Sequence, residues 1–139
     1  RKKIEAVLKA GMTPVLCIGE TKKERDNNLT EEIIKKQLES AFKNLDWHTE
    51  KEIIIAYEPV WAIGTGVLPS LKDVDTIHEE IKTIVKGFTN REPVLLYGGS
   101  VRPENAKEFI DDPKIDGVLV GGASAKKDAW LGIISNIRK

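Results

Sequence analysis

Two rhythms of apolar residues alternate along the chain. Short runs at 13–18 (TPVLCI), 53–57 (IIIAY), 93–97 (PVLLY) and 116–120 (DGVLV) are strand-length and mostly branched. They read as parallel strands buried on both faces. Between them the apolar positions recur every three or four residues, the spacing of a helix with one buried face. These faces are Ile4, Val7 and Leu8; then Ile33, Ile34, Leu38, Ala41, Phe42 and Leu45; then Val74, Ile77, Ile81, Ile84 and Val85. Ala106, Phe109 and Ile110 form a further face, and Trp130, Leu131, Ile133, Ile134 and Ile137 the last.

The punctuation agrees with this reading. Gly11 fits the C-terminal cap of the opening helix, and Pro103 suits the first turn of another. Thr30 is read as an N-cap, without a capping box because Ile33 stands three residues on. Ser70 or Asp73 caps the helix that follows. The segment after Gly19 and Glu20, rich in Lys, Glu, Asp and Asn, is expected to be a polar loop. A leading helix and four strand–helix units predict an α/β chain with parallel strands and right-handed crossovers, one domain over residues 1–139. Periodicity alone leaves a barrel piece and a doubly wound sheet equally open.

One stretch, 53–66 (IIIAYEPVWAIGTG), carries the chemistry. A carboxylate, Glu58, stands at the C-terminal end of a buried parallel strand, the end where barrels place their reactive groups. Proton abstraction beside a carbonyl needs such a carboxylate about 3 Å from the carbon acid, made more basic by expelling water. The following residues combine a stiff entry at Pro59, a bulky middle (Val60, Trp61, Ala62, Ile63) and a permissive exit (Gly64, Thr65, Gly66). That is the composition of a lid. The bland reading, a strand-end Glu before an ordinary loop, leaves a Trp between Pro and Gly without a purpose. Two further strand ends carry glycine pairs, Gly98-Gly99 before Ser100 and Gly121-Gly122. Glycines let backbone N–H groups approach a dianion closely, and a short helix start after the fourth strand adds its positive end, so Ser100, Gly121 and Gly122 are expected to cradle a phosphate. Gly64-Thr65-Gly66 lacks the third glycine of a dinucleotide fingerprint.

AYEPVWAIGTG resembles the signature of the triosephosphate isomerase family, and CIGET, YGGS and VLVGGAS resemble that family's other loops in the same order. The resemblance covers essentially the whole chain. It implies the C-terminal half of a TIM (β/α)8 barrel, because 139 residues fall short of the roughly 250 of a full one. It implies Glu58 as the base shuttling a proton through an enediol(ate), between dihydroxyacetone phosphate and glyceraldehyde 3-phosphate. It implies Gly64 as a phosphate-contacting amide, Trp61 resting near Glu20 and Tyr57 when the lid is open, and Arg25 near that hinge. Tyr97 would latch the closed lid by bonding an N–H at its exit. Counted from Glu58 that position is Pro69, which has none, so a weakened or rerouted latch is expected. The family's electrophilic His and substrate-binding Lys belong to strands outside these residues, so these residues by themselves are expected to be inactive. No cofactor and no metal are implied, and the family is a cytoplasmic homodimer. The alternatives are a non-catalytic phosphate-binding half-barrel, or another phosphate-binding barrel enzyme. An isolated half-barrel would expose two strand edges and an inner face, and is expected to be marginal or self-associating unless the rest is present.

Composition narrows the partners. Lys plus Arg and Asp plus Glu both number 22, so no net positive charge points to nucleic acid and no polybasic run to a membrane surface. The apolar runs fall far below the ~20 residues of a membrane helix. The single cysteine, Cys17, excludes an internal disulfide, suits a reducing compartment, and reads as a buried small hydrophobe. His48 in a loop and His78 within a helix have no partners at useful spacing and are given no role.

Overall fold

A computed structural model describes residues 1–45 and 52–137. His48 lies outside the described residues. The chain runs α1 (Lys2–Lys9), β1 (Val15–Ile18), α2 (Lys22–Asp26), α3 (Thr30–Phe42), β2 (Ile54–Tyr57), α4 (Leu71–Lys86), β3 (Val94–Gly99), α5 (Pro103–Ile110), β4 (Gly117–Val120) and α6 (Lys127–Ile137). Two 3-10 turns, Val60–Ala62 and Gly122–Ala125, succeed β2 and β4. The four strands form one parallel sheet in the order β1-β2-β3-β4, with helices between them, as in half of a (β/α)8 barrel.

Strand alternation divides the sheet into two faces. Leu16, Ile18, Ile55, Tyr57, Leu95, Tyr97, Val118 and Val120 point toward the helices and join one core with Ile34, Leu38, Phe42, Val74, Ile81, Val85 and Phe109. Ile55, Leu95 and Tyr97 are essentially inaccessible there. The register carries this layer straight across, pairing Leu16 with Ile55 and Ile55 with Leu95. The opposite face carries Cys17, Ala56 and Leu96 in one row, and it is less covered. Val15 keeps 47% of its surface and Cys17 is exposed. Burial on both faces therefore holds for the central part of β2 and fails at β1. Cys17 is not the buried small hydrophobe expected, because alternation turns it to the open face.

The helix signals are met with three corrections. Ser70 is the cap of α4, in a reciprocal box: its Oγ accepts the Asp73 N–H at 3.1 Å and Asp73 accepts the Ser70 N–H at 3.4 Å. Gly11 takes a left-handed φ of 73° just past α1, and Pro103 opens α5. The segment after Glu20 is not a loop throughout. Thr21 and Glu24 form a capping box that starts the five-residue α2. Thr30 is the first residue of α3 instead of its cap, a place held by Leu29 without a side-chain bond. Among the described side chains of α6 only Ile133 is buried deeply, while Trp130, Leu131 and Ile137 stay exposed.

Candidate active site

Four parallel strands running the same way bring their C-terminal ends to one rim. Gly19 and Glu20 follow β1, Glu58 follows β2, Ser100 follows β3, and Gly121 and Gly122 follow β4. The two glycine pairs therefore share a rim with the carboxylate. A cleft of about 690 Å3 is lined by Glu58, Gly64, Ser100, Arg102, Gly121 and Gly122, among others.

Glu58 is half-buried, and its backbone N–H donates to the Ile18 carbonyl at 2.7 Å, extending the β1–β2 ladder by one bond. Its side chain crosses the face of Gly98. A Cβ built there would stand 2.6 Å from Glu58 Cγ and 2.8 Å from Oε1, so the bare glycine makes the room. Gly19 does the same for the backbone, since a Cβ on it would stand 1.9 Å from the Glu58 carbonyl oxygen. Cys17 lies beside the carboxylate. Partial burial of its sulfur, and then the hydrogen bond and negative charge of Glu58, push the thiol up to about 11. The arrangement offers a carboxylate proton acceptor facing a cleft rimmed by backbone amides.

The segment expected to form the lid, residues 59–66, is tied down at its start. The Glu20 carboxylate is fully buried and accepts the indole N–H of Trp61 at 2.7 Å and the hydroxyl of Tyr57 at 3.1 Å. Arg25 stands 3.8 Å from the same carboxylate, lies 4.3 Å from the centroid of the Trp61 ring, and donates to Asp73 at 3.1 Å. Arg25 is thus no solvated loop charge. Burial, then the neighbouring Glu20 charge, drives the Tyr57 hydroxyl well above its ordinary pKa, so it remains a donor. Val60 donates its N–H to the Glu20 carbonyl at 2.9 Å, pinning the lid's first turn. Pro59 and Ala62 are buried, whereas Val60 and Ile63 expose about half their surface: 51% and 48%.

The lid's exit rests on β3's end. The Ser100 hydroxyl donates to the Ala62 carbonyl at 2.5 Å and accepts the Gly66 N–H at 3.4 Å. Thr65 closes the turn by donating to the Trp61 carbonyl at 2.9 Å. Gly64 and Gly66 sit at φ 69° and 78°, where side chains are strained. Gly121 and Gly122 are exposed, and a Cβ on either would meet nothing within 4 Å. The chain leaves them in a short 3-10 helix, Gly122–Ala125, which is the helix start expected after β4, held by Ser124 donating to the Gly121 carbonyl at 2.7 Å. Tyr97 touches no lid amide in this arrangement. It stacks on Phe109 at 4.2 Å, its hydroxyl has no partner among the described residues, and burial pushes it up to about 12.

Two supports are not announced by the apolar pattern. Gln37 clamps the turn after β1, accepting the Gly19 N–H at 2.9 Å and donating to the Gly19 carbonyl at 3.0 Å. Asn105 accepts the Arg102 N–H at 2.8 Å and donates to the Ser100 carbonyl at 2.9 Å. Its position three residues past the cap of a Pro-led helix is the one signal the chain gives of it. His78 is buried in α4, with Nδ1 3.3 Å from the Lys114 carbonyl. Among the described residues no group of three or more His, Cys, Asp or Glu could hold a metal, and no helix is long and apolar enough to cross a membrane.

A family model described as triosephosphate isomerase matches residues 1–137. Curated relatives carrying that name include one from Rhodopirellula baltica, 41% identical over 137 residues, and one from Roseiflexus castenholzii, 42% identical over 137. Each alignment takes in 96% of this chain and 54% of the relative. The relative from Aquifex aeolicus is 42% identical over 136 residues and is covered to 55%. The chain spans about half the length of the curated relatives it matches.

Proposed function

The chain belongs to the triosephosphate isomerase family, and from that premise we propose that its protein interconverts dihydroxyacetone phosphate and glyceraldehyde 3-phosphate. Glu58 is the base that carries the proton between the two carbons through an enediol(ate). The amides of Gly64, Ser100, Gly121 and Gly122 hold the substrate's phosphate, and residues 59–66 close over it. The observation that supports this best is Glu58 lying across Gly98 toward a cleft shared with Gly121 and Gly122, while Trp61 anchors the lid on Glu20.

We take the lid resting on Glu20 as its open position, in which Ser100 is engaged by Ala62 and Gly66. Closure breaks the Trp61–Glu20 bond and frees the Ser100 amide region for the anion. Tyr97 then takes its partner from Leu68 or Ser70, because Pro69 offers no N–H. The reaction is proton transfer and calls for no cofactor or metal. The wider family reading adds a cytoplasmic homodimer acting on a small triose phosphate, without nucleic-acid or membrane partners.

Residues 1–139 by themselves are expected to give only background turnover of glyceraldehyde 3-phosphate, since the family's Lys and His are not among them. In a complete eight-unit barrel carrying these residues, Glu58→Gln lowers kcat by on the order of 10²–10⁴-fold. A Glu58→Gln barrel that keeps the full isomerase rate overturns the assignment. It would favour a different phosphate-binding barrel enzyme.

A further inference from the structure

Arg102 is not explained by the helix it begins. It occupies the N-cap of α5, where Ser, Thr, Asp or Asn is favoured and where the partial positive charge of the helix start opposes a cation. Its own backbone needs no help from its side chain, because Asn105 takes its N–H. The guanidinium is exposed and makes no ion pair among the described residues. Arg25, by contrast, is held by Glu20 and Asp73.

The side chain reaches toward the lid. Nη2 lies 3.4 Å from where a Cβ on Gly66 would stand, and the residue lines the same cleft as Glu58, Gly64 and the Gly121-Gly122 turn. Lys126, Glu104 and Asp128 line it too. A locally unfavourable cation, unpaired and set between a lid exit and two bare glycine amides, has the chemistry of an anion site awaiting its anion. A guanidinium presents planar paired donors that match phosphate oxygens.

We infer that Arg102 is a further phosphate-binding residue of this cleft. It rests against Gly66 while the cleft is empty and takes a phosphate-class dianion together with the amides of Gly121 and Gly122 when it is filled. This rests on the reading of the cleft as a phosphate site, and it adds the ionic partner that backbone amides do not supply.

The test is a titration of a complete, isotope-labelled eight-unit barrel carrying these residues with inorganic phosphate at mildly alkaline pH and low salt, followed by amide shifts. In the unmodified chain the Gly121 and Gly122 amides move and saturate. Arg102→Gln raises the apparent Kd about tenfold, the lower end for a hydrogen bond to a charged group, and flattens its dependence on salt. Arg102→Lys recovers part of both effects, which a structural role would not. Arg91→Gln, removing another exposed arginine, leaves the titration unchanged. Glycine amides that still respond with unaltered Kd in Arg102→Gln overturn the role of Arg102 alone. Glycine amides that never respond in the unmodified chain overturn the phosphate reading beneath it.

Discussion

The indole N–H of Trp61 meets the carboxylate of Glu20 at 2.7 Å, so the lid after β2 is tied to the end of β1. The bond joins two segments 41 residues apart and holds the only lid side chain large enough to act as a handle. Glu20 is fully buried, and a carboxylate there is tolerated because Tyr57, Trp61 and Arg25 converge on it. The start of the segment is therefore tied to one charge, while Ser100 holds its exit.

Trp61→Phe keeps the ring over Arg25 and deletes the donor. Bonds to charged groups contribute about 1.5–3 kcal/mol, so local opening should become roughly 10- to 100-fold more frequent. Hydrogen exchange at the Val60 and Ala62 amides, which bond the Glu20 and Pro59 carbonyls, reads this directly. Exchange at the unmodified rate would mean that the indole bond does not hold the lid.

The two tyrosines facing the helices from paired positions should respond in opposite ways. Tyr57→Phe strips a partner from a buried carboxylate and is expected to cost about 1.5–3 kcal/mol. Tyr97→Phe removes a buried hydroxyl with no partner among the described residues, and is expected to be neutral or stabilising by up to about 1 kcal/mol. Urea midpoints at constant slope compare them. A Tyr97→Phe chain as weakened as Tyr57→Phe would place a partner on the Tyr97 hydroxyl.

Glycines on the rim divide by what surrounds them. Gly19→Ala would drive a Cβ to 1.9 Å from the Glu58 carbonyl oxygen, a backbone atom fixed in the ladder, and is expected to cost about 3 kcal/mol or more. Gly121→Ala meets nothing within 4 Å and is expected to leave the melting temperature unchanged while weakening phosphate binding. Equal melting temperatures for the two variants would contradict the close approach of β1 and β2 at this rim.

How much of this is legible in the chain depends on the physics of each feature. Strands and helices are legible because apolar spacing is local: Ile34 and Leu38, or Ile77 and Ile81, are placed by the helix itself. Glu58 and its lid are legible because base, stiff entry and permissive exit are contiguous. The α2 box escapes notice because Thr21 and Glu24 sit in a stretch with no apolar face to announce a helix. Cys17 is misplaced by its pattern because an alternating strand does not say which of its faces another layer covers. Asn105 acts locally, three and five residues from its partners, whereas Gln37 acts across folded distance and no spacing rule joins it to Gly19.

Cys17 turns the Glu58 charge into a measurable pH profile. Its thiol is raised to about 11 from an ordinary 9.0, so at any pH below both values the thiolate is about 100-fold scarcer than in a free cysteine. Only the thiolate is alkylated. Although the residue is exposed, iodoacetamide should label it slowly near neutral pH, with the rate climbing tenfold per pH unit and levelling only near 11. Glu58→Gln removes the negative charge that opposes deprotonation while the partial burial remains, so the plateau should move down without reaching 9.0. Because Cys17 is the single cysteine, intact mass reports its labelling without ambiguity. A plateau near 9.0 in the unmodified chain, or one unmoved by Glu58→Gln, would separate the thiol from the carboxylate and put the Glu58 side chain elsewhere than across Gly98.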